Sequence, residues 1–455
     1  MDHYGVVSLI PALSVIIIAI ISRRTFESLL FGAIIGFIIL EKWNFFPAFL
    51  DAVYKVFSES GTAWLILVCG LFGSLIALVE RSGGAKGFSA LALKFTKSRK
   101  ASMFYTWVLG IVIFADDYLN ALAVGSAMRK VTDAFKVSRE MLAYIINSTG
   151  TVICVLIPFS TWSAFIAGQL EVNGVTAHGT GTGAYISSIP YNLYAWCAVL
   201  IVPLIILKIM PIYGPLKQAE LRAINTGEVF PASMKEKAQQ IEEAEEALTV
   251  QPKVFNFLIP MIGLAVITIY TMDMLVGVII AIFICAVLYF PQRLMTFGEF
   301  WDAFMDGLKD MIPVLSLVVA SFFLREANDA LGLTPYVIET VKPIMSGALL
   351  PVVTFLTMGA IAFATGTFWG LIAIALPIII PLAEAMGVNV FLAIGAVTSA
   401  GALGSHACFY GDAPTLTCSS TQITNIDYAR TSLPMIITPI VLASILYIVL
   451  GYAMG

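Results

Sequence analysis

Apolar runs of spanning length recur near 5–21, 26–40, 62–80, 190–208, 254–271, 273–290, 310–325 and 433–452. A helix needs about 20 consecutive apolar residues to cross the hydrocarbon core, so these runs predict membrane helices. Two stretches of a different kind lie between them, 101–171 and 348–418, where Gly, Pro, Ser, Thr and Asp interrupt apolar sequence. One polar stretch, 209–253, divides the chain. It holds twelve charged residues, Glu242, Glu243, Glu245 and Glu246 among them, and reads as a solvated linker between two halves. Only 12% of the 455 residues are charged and 59% are hydrophobic, against about 25% charged in soluble domains. The class is therefore an all-α polytopic membrane protein. A net charge of −4 carries no nucleic-acid signal. The six cysteines lie in or beside apolar segments without paired spacing and read as buried thiols. His3, His178 and His406 are too scattered for a metal site.

Lys and Arg orient the chain. Arg23 and Arg24 put the first loop in the cytoplasm and the N-terminus outside; because they follow the first apolar run, that run reads as a helix and not as a cleaved signal. Helix 62–80 then delivers Arg81, Lys86, Lys94, Lys97, Arg99 and Lys100 to the cytoplasm, and Arg129, Lys130, Lys136 and Arg139 follow. Both clusters stay inside only if 101–128 enters the membrane and returns. Its arms, about 13 residues each, reach about 20 Å as helix, enough for the midplane but not for a crossing. The pattern thus predicts a re-entrant hairpin over 101–128 with Asp116 and Asp117 near its tip, then a broken helix over 139–171 interrupted at 158–162. The second half repeats this order, with a hairpin over 348–385 tipped by Thr365, Gly366 and Thr367 and a broken helix over 389–418. The predicted architecture is two inverted repeats, 1–208 and 254–455. Each has three spans, a hairpin, a broken helix and a final span, with both termini outside and 209–253 cytoplasmic. Such repeats, with discontinuous helices meeting near the midplane, are a transporter architecture. The amphipathic stretches 85–98 and 329–346 precede the hairpins and read as interfacial helices.

Adjacent carboxylates at membrane depth are costly and are kept for ion or proton handling. Broken helices add free carbonyl ends that attract cations and free amide ends that attract anions. Asp116, Asp117 and Asn120 from the first half, with Thr365, Thr367 and Asp412 from the second, are the candidate cation ligands, Na+ lying at Asp116, Asp117 and Asp412. Asn147, Ser148, Thr149, Ser160, Thr161, His406 and Thr415 are the candidate substrate-side groups. The structural alternatives are a helix cap for either aspartate and bonds to their own helix backbone for the hydroxyls. An intramembrane aspartyl protease is disfavoured, because residues 409–412 read Phe-Tyr-Gly-Asp. A channel is disfavoured because no ring of pore charges is present. The chain reads as a transporter and not as an enzyme.

Specific motifs carry a resemblance. They are Phe114-Ala115-Asp116-Asp117-Tyr118, the run from Val124 to Arg129, the run from Val137 to Ile146, and Pro158-Phe159-Ser160-Thr161-Trp162. In the second half they are the run from Ala364 to Gly370, Gly411-Asp412-Ala413-Pro414, and the run from Ile426 to Thr431. Together, over most of the chain, they resemble the NhaC family of Na+/H+ antiporters. The resemblance implies paired re-entrant hairpins, elevator movement, a homodimer in the cell membrane, and Na+ or H+ as coupling ion with no further cofactor. Two positions depart from the family pattern: Asn147 stands where Asp precedes Ser-Thr, and Ser405 stands where Asp often precedes His. The loss of two carboxylates points to a branch coupling Na+ to a small organic solute, an amino acid or carboxylate. The alternative is Na+/H+ exchange without an organic substrate.

Overall fold

The computed structural model describes residues 3–22, 24–83, 96–234, 253–271, 273–341, 343, 345–365, 368–409 and 411–454. The first half opens with α1 (Ile10–Ser22), α2 (Thr25–Glu41), α3 (Phe45–Ser58) and α4 (Ser60–Arg81). It continues with α5 (Arg99–Val112), α6 (Asp117–Ala134), α7 (Arg139–Ile153), α8 (Thr161–Val172), α9 (Gly181–Ser188) and α10 (Leu193–Ile206). The polar stretch contributes α11 (Gly214–Thr226). The second half runs through α12 (Phe255–Thr271), α13 (Met274–Tyr289), α14 (Phe297–Asp310), α15 (Ile312–Ala330) and α16 (Leu333–Val341). It ends with α17 (Leu350–Thr365), α18 (Phe368–Met386), α19 (Val390–Ala407), α20 (Asp412–Thr421) and α21 (Asn425–Met454). No strand occurs among the described residues, only an isolated bridge between Ala177 and Thr180. Among the described residues, five helical stretches are long and apolar enough to cross a membrane: 26–58, α4, α18, α19 and α21.

Polar residues set where the helices begin. Ser98, Ser138 and Ser160 cap α5, α7 and α8 by accepting from the backbone N–H three residues on, and Asn389 caps α19. The breaks fall at 113–116, 154–160 and 408–411, in the stretches whose composition forecast them. Two helices escape the sequence pattern. In α3 and α14, Asp51, Lys55, Asp302, Asp306 and Lys309 divide the apolar positions, so no run of spanning length forms. Instead Ala52 and Val56 of α3, and Phe300, Ala303 and Gly307 of α14, form one inward stripe each. A capping box of Thr296 and Glu299 starts α14.

The helices gather into two groups. In one, α2 packs on α1, α3 and α15, while α4 packs on α13 and α14. Each half therefore lends its fourth helix to the other. Gly73 and Gly307 let α4 and α14 touch backbone to backbone: a Cβ at Gly73 would lie 2.3 Å from the Gly307 carbonyl oxygen. The other group surrounds α7 and α19. Every residue of α7 is buried, and α5, α6, α10 and α20 pack on it while α17, α18 and α10 pack on α19. The groups meet where α4 touches α8 and where α15 and α16 touch α18.

The polar stretch departs from the solvated linker expected of it, at least as far as residue 234. Leu216, Ala219, Glu220 and Ala223 of α11 are buried against α7 and α21. Glu220 pairs with Arg99 and accepts from the Ser138 amide at 2.9 Å, and Arg222 donates to both Glu140 carboxylate oxygens at 2.9 Å. The Val229 carbonyl accepts from the Arg139 amide. Charges that looked free in sequence find partners far along the chain, Arg222 and Glu140 being 82 positions apart. The acidic run Glu242–Glu246 and most of the stretch 85–98 lie outside the described residues.

Candidate functional site

The turn between α5 and α6 is laced to the break between α7 and α8. Asp116 is the N-cap of α6: its Oδ1 accepts from the amides of Tyr118 (2.9 Å) and Leu119 (3.1 Å). Its Oδ2 accepts from the Thr161 hydroxyl at 3.0 Å. The Thr161 amide donates to the Ala115 carbonyl, and Trp162 Nε1 donates to Asp117 Oδ1 at 3.1 Å. The two adjacent carboxylates thus do different work, one capping a helix and the other receiving an indole. Both are buried, at 8% and 3% exposure. Asn120, one turn into α6, closes the turn from inside: its amide donates to the carbonyls of Gly110 and Ile113, each at 2.6 Å. Two carbonyl acceptors fix the amide orientation and leave Asn120 Oδ1 buried without a partner. Gly150 of α7 makes the room, since a Cβ there would lie 2.2 Å from that oxygen. A buried orphan acceptor of this kind suits a small hard cation, which takes oxygen ligands.

The candidate substrate-side groups divide. Thr161 belongs to the turn just described. Ser160 caps α8 and donates to the Cys154 carbonyl at 2.5 Å, and Thr149 donates to the Ile145 carbonyl of its own helix. Asn147, Ser148 and His406 form a separate interior network: Ser148 Oγ lies 3.0 Å from His406 Nε2, and Tyr194 OH lies 2.8 Å from His406 Nδ1. Asn147 donates to the His406 carbonyl at 2.8 Å and to Tyr428 OH. The network ties α7, α10, α19 and α21 together. Thr415 is exposed, and its hydroxyl bonds to the Gly411 carbonyl. Thr367 lies outside the described residues, as do the side chains of Thr365 and Asp412; Asp412 is the first residue of α20.

The start of α18 closes over the same break. Phe368 stacks on Trp162 with ring centres 3.7 Å apart, and Trp369 meets Phe165 edge-on at 4.9 Å. From the other side α20 lies along α6, where the Ser420 hydroxyl bonds to the Ala121 carbonyl at 2.7 Å. Both halves therefore converge on Asp116 and Asp117. A cavity of about 260 Å³ opens beside Asp116, between the two helix groups. Gly73, Ala77 and Glu80 of α4, Asp310, Met311, Asp116, Tyr118, Leu119 and Trp369 line it. The sequence reading missed Glu80 and Asp310, because each sits at the edge of an apolar run, where a charged residue looks interfacial; it named Tyr118 and Trp369 only as members of motifs.

The model of the Na+/H+ antiporter family matches residues 173–452. An uncharacterized protein of Haemophilus influenzae is 30% identical over 475 aligned positions, covering 98% of this chain and 91% of its own. The malate-2H(+)/Na(+)-lactate antiporter of Bacillus subtilis is 22% identical over 160 residues, 35% of this chain and 34% of that protein. Among solved structures, the YdaH transporter of Alcanivorax borkumensis superposes with a TM-score of 0.63 at 13% identity, over 91% of this chain and 90% of its own. The antimetabolite efflux pump MtrF of Neisseria gonorrhoeae gives 0.58 at 14% identity, over 89% and 84%. The fold is that of multi-pass membrane transporters. Since the matched region spans more than half of its length, the chain belongs to the Na+/H+ antiporter family.

Proposed function

We propose that this protein is a Na+-coupled secondary transporter of a small organic solute, working by an elevator movement of one helix group against the other. The observation that carries the reading is the meeting of Asp116 and Asp117 with the α7–α8 break, beside a cavity on the boundary between the groups. Na+ is held by the two carboxylates, the orphan Asn120 oxygen and carbonyls of the turn, with Asp412 and the tip around Thr365 and Thr367 completing the mirrored side. The matched order of helices in the two halves supports an inverted repeat with two re-entrant hairpins. The cavity's carboxylates, Glu80, Asp116 and Asp310, fit a solute bearing an amino group better than a bare carboxylate. An amino acid is therefore the preferred solute. The name of the Bacillus subtilis relative, which pairs organic acids with Na+ and protons, supports coupling of this kind. The transporter works as a homodimer in the cell membrane, both termini outside and the polar stretch cytoplasmic.

A thermal-shift screen of the purified protein against amino acids and organic acids, with and without Na+, tests this. A stabilising solute whose effect requires Na+ is the expected result; stabilisation by Na+ alone, with no solute effect, counts against it. The family match and the acid-lined cavity favour a second reading, Na+/H+ exchange with no organic substrate. In proteoliposomes that reading requires Na+ alone to collapse an imposed pH gradient.

A further inference from the structure

One conspicuous residue of the 426–431 run has no place in the site. Asp427 caps the start of α21 through Thr424 and holds Ser233, Tyr428 joins the His406 network, and Thr431 bonds to the Asp427 carbonyl. Arg430 is exposed and makes no hydrogen bond or ion pair among the described residues. It stands at one end of an apolar groove of about 630 Å³ between α17 and α21, lined by Leu356, Phe363, Leu403, Leu433, Ile437 and Ile440. The groove has a steric origin. The two helices run antiparallel and touch at one end, where a Cβ at Gly451 would lie 2.0 Å from the Ala348 carbonyl oxygen. Toward Phe363 and Arg430 the space between them is filled by neither, and α19 provides the floor through the buried Leu403 and Ala407.

We infer that this groove holds one acyl chain of an anionic phospholipid from the cytoplasmic leaflet, with the lipid phosphate on Arg430. Along α21 the groove runs from Ala429 to Ile440, about 16 Å at helical rise. One leaflet of a hydrocarbon core about 30 Å thick is about 15 Å deep. Among the described residues the lining offers no polar side chain for a soluble ligand other than Arg430, whose guanidinium matches a phosphate in charge and geometry. The leaflet assignment rests on the orientation proposed above; the groove and its cation do not.

The test compares unfolding midpoints of the detergent-purified protein with phosphatidylglycerol, with phosphatidylcholine of the same chains, and with inorganic phosphate. Phosphatidylglycerol is expected to stabilise most and free phosphate not at all. Arg430→Gln should weaken phosphatidylglycerol retention roughly fivefold, to the phosphatidylcholine level. Ala360→Phe, at the groove mouth, should abolish both lipid effects, with Ile437→Trp as the second filling variant. Equal effects of the two lipids on the parent protein overturn the proposal. So does an equal effect of phosphate alone, or a phosphatidylglycerol effect that survives both filling variants. These readings need neither solute nor Na+, so a failed transport assay leaves them standing. External labelling of residues 209–234 would overturn the cytoplasmic-leaflet assignment alone.

Discussion

Asp116, Asp117 and Asn120 lie within one helical turn, yet their bonds separate their duties, and substitutions can test each duty. Asp117→Asn keeps an oxygen acceptor for the Trp162 indole while removing the charge. The unfolding midpoint should therefore stay within a degree or two while Na+-dependent transport in proteoliposomes disappears; wild-type transport would remove Asp117 from the mechanism. Asp116→Ala loses the cap of α6 as well as the Thr161 bond, and capping alone is worth about 1 kcal/mol. It should lower both midpoint and transport. Gly150→Ala probes the orphan oxygen, because its methyl would lie 2.2 Å from Asn120 Oδ1. Overpacking of that kind costs about 1–3 kcal/mol, and the Na+ concentration for half-maximal transport should rise well beyond what a similarly destabilised variant elsewhere shows. An unchanged Na+ dependence would take Asn120 out of the cation site.

At the scale of elements, the helix ends around the start of α7 are joined through buried charge. Arg139 is fully buried at the start of α7, donates to both Asp133 oxygens at 2.7 and 2.5 Å and to the Thr421 carbonyl at 3.0 Å, and lies over the Phe230 ring. Removing one partner of a buried pair costs about 3–5 kcal/mol. Arg139→Ala should therefore lower the unfolding midpoint sharply, while Lys130→Ala, at an exposed position of α6, should change it by no more than about 0.5 kcal/mol equivalent. The same residue shows what the sequence could and could not reveal. Breaks at 154–160 and 408–411 were legible, because Pro158, Ser160, Gly411 and Pro414 act on their own backbone. The distant partner of Arg139 was not, since Thr421 lies 282 positions away. Counted as a loop charge, Arg139 is instead an interior anchor. His406 is similar: its position in an apolar helix was visible, but Ser148 and Tyr194 become its neighbours only after both halves fold together. The amphipathic α3 and α14 were hidden for the opposite reason, a local polar face that breaks the apolar run.

For the whole molecule the decisive question is whether the two helix groups move past each other. Ala77 of α4 and Leu119 of α6 belong to different groups and line one cavity. If transport carries the group containing α6 past the group containing α4, those positions must separate during each cycle. If the groups are fixed and only a local gate opens, they need not. In a background with the six native cysteines replaced, Ala77→Cys with Leu119→Cys should be bridged by mercury or a short bifunctional reagent, and bridging should arrest solute uptake. Ser74 and Phe304 supply the control, because the Ser74 hydroxyl bonds to the Phe304 carbonyl at 2.8 Å inside a single group. Cysteines bridged there should leave uptake intact, since nothing in an elevator cycle separates them. Arrest by both bridges would mean that rigidity anywhere stops the protein. Uptake unaffected by the Ala77–Leu119 bridge would mean that the groups do not slide, and the convergence of both halves on Asp116 and Asp117 would then serve a stationary site.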